Sequence, residues 1–123
     1  MVFGYLVQRR GGAGSGMRVG DGGEVELRLA GTPDWQQVTT LDARELEALR
    51  DAVRASGVLG LPERTERPAS LRDGDDCELW SDVDGHSLHA VVEGWADANP
   101  AAEGSRRLVM ELSRLVAGAQ ARQ

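Results

Sequence analysis

The stretch from Leu41 to Pro62, LDARELEALRDAVRASGVLGLP, constrains this chain more than any other, because it specifies a helix at both ends and along one face. Asp42 suits an N-cap and Glu45 follows three positions later, a capping-box pair for the first unpaired amides. Leu41 and Leu46 flank that cap as a hydrophobic staple. Leu46, Leu49 and Val53, with Ala52 beside them, recur at helical spacing and define a buried stripe. Gly57 takes the left-handed position that stops the helix, with Val58 folding back towards Val53. Pro62 keeps the helix from restarting.

The remaining segments read as sheet and one further helix. Phe3 to Arg10 is rich in β-formers, with Phe3, Tyr5 and Val7 on one face and Leu6 on the other. The glycine run Gly11 to Gly16 is a hairpin connection into Met17-Arg18-Val19, and Gly20-Asp21-Gly22-Gly23 is a second turn. Glu24 to Leu29 alternates charged and aliphatic residues, so one side faces core and the other water. Gly31 to Asp34 turns the chain again, and Trp35 to Thr40 is a short strand leading into the helix. Leu61 to Asp76 dissolves into Pro, Arg, Glu, Asp and Gly, the longest irregular segment and thus a candidate functional loop or a plain connector.

Cys77 to Trp95 reads as a hairpin whose register follows from its turn. Asp84-Gly85 is a preferred type I′ pair. It pairs Val83 with His86, Ser81 with Leu88, Leu79 with Ala90 and Cys77 with Val92 on a mostly apolar face. Trp80 with His89, Asp82 with Ser87 and Glu78 with Val91 take the opposite face. Asn99 then caps a final helix with Pro100 at its first position. Its stripe is Leu108, Leu112, Leu115, Val116 and Ala119, and Glu103, Arg107 and Glu111 are spaced for surface ion pairs. The expected architecture is a single α+β domain over residues 1–123, an antiparallel sheet of about four to five strands with two helices packed on one face.

Composition enters where it excludes functions. Hydrophobic residues at 41% and charged residues at 28% place the chain among globular proteins, and aromatics at 4% require an aliphatic core. The net charge of −6 opposes binding to nucleic-acid phosphates. It suits plain solubility first, and also a partner with a basic surface. All 14 basic residues are arginine, which reads as the composition of a GC-rich bacterial genome. No apolar run approaches the roughly 20 residues of a membrane span. MVFGYLVQRR places its charges after its apolar residues, unlike a signal peptide. A cytoplasmic site is therefore the expectation, and the lone Cys77 has no internal disulfide partner.

Catalytic and metal chemistry find little support in the pattern. His86 and His89, three apart on a strand, point to opposite faces and cannot chelate one ion, so no metal and no cofactor are expected. Cys77 turns inward, away from His89, which removes a thiol–imidazole pair. Asp73, Asp75 and Asp76 lack the spacing of a calcium loop. Gly11 to Gly16 is followed by strand rather than helix and carries no Lys, unlike a phosphate loop. Arg9 and Arg10 beside it read as exposed charges flanking a turn. A protein partner is expected instead, through Arg64, Glu66, Arg67, Asp73 and Asp75 of the irregular segment or through Trp80, His89 and Trp95 on the outward hairpin face. The outward aromatics read equally well as a cross-strand cluster.

Three segments taken together resemble the emfourin family, small protein inhibitors of thermolysin-type metallopeptidases. Arg10-Gly11-Gly12-Ala13-Gly14 resembles its glycine-containing turn. Leu46 to Pro62 resembles its helix closed by Leu-Pro, and Leu79 to Val92 its strand–turn–strand before a Leu-rich helix. The chain departs from that pattern by inserting Gly20 to Trp35 and by lacking an aromatic pair before Leu61-Pro62. The resemblance implies a non-enzymatic module that blocks a peptidase cleft with Pro62 to Asp76 or Gly11 to Gly16. The alternative is an accessory or partner protein of a biosynthetic or regulatory operon, binding through the outward face of the 77–95 hairpin.

Overall fold

The central helix forms where its capping residues place it. In the computed structural model, which describes residues 1–8, 14–68, 75–95 and 99–123, helix α1 spans Ala43–Ser56. Asp42 Oδ1 accepts from the Glu45 amide at 2.8 Å, and the Asp42 amide donates to Glu45 Oε1 at 2.9 Å, so the capping box is complete. That amide bond, ahead of the Arg122 guanidinium, holds the Asp42 carboxyl below the usual carboxylate range. Gly57 stops the helix with φ 80°, and a 3₁₀ turn at Val58–Gly60 carries Val58 back into the core beside Val53. Leu46, Leu49 and Val53 are all buried, as their spacing requires.

Among the described residues seven strands form one mixed sheet: β1 Phe3–Gln8, β2 Ser15–Val19, β3 Glu24–Arg28, β4 Gln36–Thr40, β5 Arg64–Thr65, β6 Asp76–Val83 and β7 His86–Val92, in the order β4-β3-β2-β1-β6-β7-β5. The α+β class holds, but the expected purely antiparallel sheet of about four to five strands is corrected. β5 lies parallel to β7, with Val91 N donating to Glu63 O and Glu93 N to Thr65 O. Part of the segment read as irregular is thus strand. Its pairing to the sheet runs through backbone groups, so its side chains carry no β-pattern.

The hairpin of β6 and β7 has the expected register at all seven pairs, from Val83 with His86 to Cys77 with Val92. Asp84 at φ 55° and Gly85 at φ 78° are the two positive values a type I′ turn demands. Asn99 accepts from the Ala101 amide at 3.1 Å and opens a 3₁₀ turn at Pro100–Ala102, which runs into helix α2, Glu103–Ala121. Leu108, Leu112, Leu115, Val116 and Ala119 are buried together. Arg107 pairs with Glu103 at 2.7 Å, whereas Glu111 pairs with Arg114 instead. Residues 11–13 of the expected glycine turn lie outside the described residues, and Ser15 and Gly16 already belong to β2.

One face of the sheet and both helices share a single hydrophobic cluster. Phe3, Val19, Val25, Leu79 and Val92 from the strands meet Leu49, Val53, Leu108 and Leu112 from the helices. Leu49 is fully buried there, so Leu49→Ala should cost about 2–5 kcal/mol in urea unfolding. A second test concerns the β6–β7 turn, where Arg54 Nε and Nη2 bond the Asp84 carboxylate at 2.7 and 3.0 Å. This contact holds the Asp84 carboxyl below its ordinary range. Its stabilisation is therefore fully present above the ordinary carboxylate value and is lost as pH falls through the depressed one. Asp84→Asn preserves the turn preference and removes the charge. The Tm difference between the two proteins should shrink steadily as pH is lowered from neutral towards 2.

Candidate functional site

Directly paired residues in neighbouring strands project to the same side, so the register maps the face that the helices leave open. One row crosses the sheet through His89, Trp80, Gly4, Arg18 and Glu26. The next runs through Val91, Glu78, Leu6, Gly16 and Arg28. The Trp80 and His89 rings stack at 5.6 Å between centroids and 12° between planes. His89 Nε2 lies 2.7 Å from Glu78 Oε2, which holds the imidazole over the indole. On the other flank the Arg18 guanidinium sits 4.4 Å from the centre of the Trp35 ring, while its Nε donates to Glu26 Oε1 at 2.8 Å.

A groove of about 440 Å³ opens between these two aromatic groups, with Leu6, Arg28 and Glu78 among its lining. Gly4 shapes it. A Cβ there would come within 2.8 Å of Met1 Sδ and 2.9 Å of Arg18 Cβ, so only glycine lets both side chains close over β1. Leu6 is 6% exposed although it faces away from the helices, because it lies under this rim.

The structure brings some of the sequence-derived candidates together and separates others. Trp80 and His89 share the open face, and Arg64, in register with Val91, extends it over the sheet margin. Trp95 does not belong there and is corrected: it is buried, stacked on Tyr5 at 6.5 Å, and its Nε1 donates to Ser105 Oγ at 2.7 Å. The cause is Gly94 at φ 64°, which ends the strand alternation one residue earlier. Arg64 and Arg67 both pair with Glu93, and Arg67 also reaches Asp76 at 3.1 Å. Glu66 is exposed beside them. The Asp75 carbonyl accepts from the Trp95 amide at 2.8 Å. Asp73 lies outside the described residues.

Sequence reasoning missed Arg18, Arg28 and Trp35, because the Arg18–Trp35 contact reaches across β3 from β2 to the residue before β4, and alternation within single strands does not place them side by side. Leu6 was the available signal, an apolar residue on the face opposite Phe3, Tyr5 and Val7.

The groups capable of covalent chemistry are poorly placed for it. Cys77 is fully buried, and burial pushes its thiol up to about 12, leaving almost no thiolate at neutral pH. His86 pairs with Val83 and His89 with Trp80, which puts the two imidazoles on opposite faces. Among the described residues no group of three or more His, Cys, Asp or Glu side chains is arranged to hold a metal ion. No helix among them is long and apolar enough to cross a membrane. The fold and site define an α+β protein with one sheet face left open around an aromatic-rimmed groove. No protein-family model and no curated protein matches the chain.

Proposed function

We propose that this chain is a non-enzymatic protein-binding module that engages its partner through the open face of its sheet. The observation that carries this reading is the pair of half-buried tryptophans, Trp80 stacked on His89 and Trp35 under Arg18, on either side of a groove floored by Leu6. Trp and Arg dominate the energetics of protein interfaces, because each combines large apolar area with directional polar contacts. Here both aromatics are held rigid by stacking before any partner arrives, which lowers the ordering cost of association. This reading fits an accessory or partner protein.

Peptidase inhibition through the 62–76 segment is the second reading, and the root of that segment favours it. β5 is hydrogen-bonded to β7, and Arg64 and Arg67 both pair with Glu93, so the start of the segment is anchored as an inhibitory loop must be. The partner of this version is a thermolysin-type metallopeptidase, as the resemblance to emfourins implies.

Affinity capture from native lysate tests both readings in parallel. Trp80→Ser should lose the partner retained by the parent protein, and exchange of residues 69–74 for a Gly/Ser linker should keep it. The reverse pattern would reject the open face in favour of the loop. It should then be accompanied by saturable inhibition of a thermolysin-type peptidase that leaves serine peptidases untouched.

A further inference from the structure

The chemistry of the open face narrows the class of partner. Glu78, Trp80 and Asp82 alternate along β6, so all three project to this face, with the indole midway between two carboxylates. Glu24 and Glu26 on β3 add two more. Against these four carboxylates the face carries, among the described residues, Arg18, committed to Glu26 and to the Trp35 ring, Arg28, whose Nε donates to the Thr32 carbonyl at 3.0 Å, and at its margin Arg64, paired with Glu93. Asp82 accepts from the Ser87 hydroxyl and lies 3.9 Å from the N-terminal ammonium, and Glu78 meets the His89 ring. Neither has a guanidinium partner among those contacts. The excess is negative, in keeping with the net charge of −6.

The spacing of these groups implies a geometry. Glu78 and Asp82 are four residues apart on one strand, roughly 13 Å. Basic side chains two positions before and two after a central apolar residue of an extended segment span the same distance. The central side chain would then seat beside Trp80 in the groove above Leu6. Resting on the reading of this face as the binding surface, we propose that its occupant is an extended protein segment with basic, apolar and basic side chains at alternate positions. Charge complementarity would fix its register, and apolar burial against the two indoles would supply most of the affinity.

The test uses the full chain and three synthetic peptides built on Xaa-Thr-Leu-Thr-Xaa, in which Xaa is Lys, Ser or Glu. Indole N–H resonances of Trp80 and Trp35 report binding, and Trp95 serves as the buried control. The Lys peptide should shift both open-face indoles saturably, bind about tenfold tighter than the Glu peptide, and weaken as salt is raised. Glu78→Gln combined with Asp82→Asn should bring the Lys peptide down to the affinity of the Ser peptide. Trp80→Ser should weaken all three, and Trp35→Ser provides the same readout if the first variant loses structure.

Equal binding of the Lys and Glu peptides, still dependent on Trp80, would overturn the basic-segment proposal while leaving the open face as a binding surface. Binding of the Lys peptide that ignores both tryptophan variants would overturn it as diffuse charge attraction. Absence of any indole shift at millimolar peptide would overturn it as well, with capture by the parent protein and its Trp80→Ser variant still judging the face itself.

Discussion

The structure depends on the pairing of β1 with β6. These strands are joined antiparallel from Phe3 with Ser81 to Gln8 with Asp76, pairs 78 and 68 residues apart in the chain. On one side of the junction stand β2, β3 and β4, and on the other β7 and β5. Without it the chain would hold two small sheets, each too narrow to cover the helices. Its edges are sealed by specific bonds: Ser81 Oγ donates to the Val2 carbonyl at 2.6 Å, and the Asp82 amide to the Met1 carbonyl at 2.9 Å. Ser81 is buried, so its hydroxyl would cost on the order of 1–3 kcal/mol if left unpaired. Such non-local pairing closes a long loop before it gains contact energy, which implies that β1 docks late in folding.

The same junction creates the asymmetry on which the functional reading rests. Alternation sends Phe3, Tyr5 and Val7 towards the helices and leaves Gly4 and Leu6 on the far side. Two glycine positions, Gly4 and Gly16, thin that far side in the middle of the sheet, while Trp35 and Trp80 rise around it. A face meant only for water would carry short polar residues here. Instead the polar groups are committed to holding aromatic rings, Arg18 to Trp35 and the Glu78–His89 pair to Trp80. That arrangement is more ordered than solvation requires, which supports the proposal that this face associates with a protein surface.

Elements governed by local chemistry were legible in the sequence. The capping box at Asp42 and Glu45, the stop at Gly57, the Asp84-Gly85 register and the α2 stripe depend on neighbours within a few residues, and each stands where its pattern places it. What could not be read depends on distant partners. β5 exists because two carbonyls, of Glu63 and Thr65, meet the amides of Val91 in β7 and of Glu93 just past it, and backbone bonding leaves no side-chain signature. Trp95 turns inward because the strand ends at Val92 and the chain turns at Gly94, a change of direction that alternation cannot foresee. Half of the candidate site was visible in Trp80 and His89. The other half, Arg18 with Trp35, arises only when β2, β3 and β4 assemble side by side.

The central claim is that the partner covers the open sheet face and leaves the helical side bare. Hydroxyl-radical footprinting of the chain, free and bound to its captured partner, measures this directly, because tryptophan and methionine oxidise according to their exposure. Trp80 and Trp35 should lose reactivity in the complex, while Met110, 71% exposed on α2, should keep it. Protection of Met110 with Trp80 and Trp35 still reactive would contradict the account and move the interface to the helices.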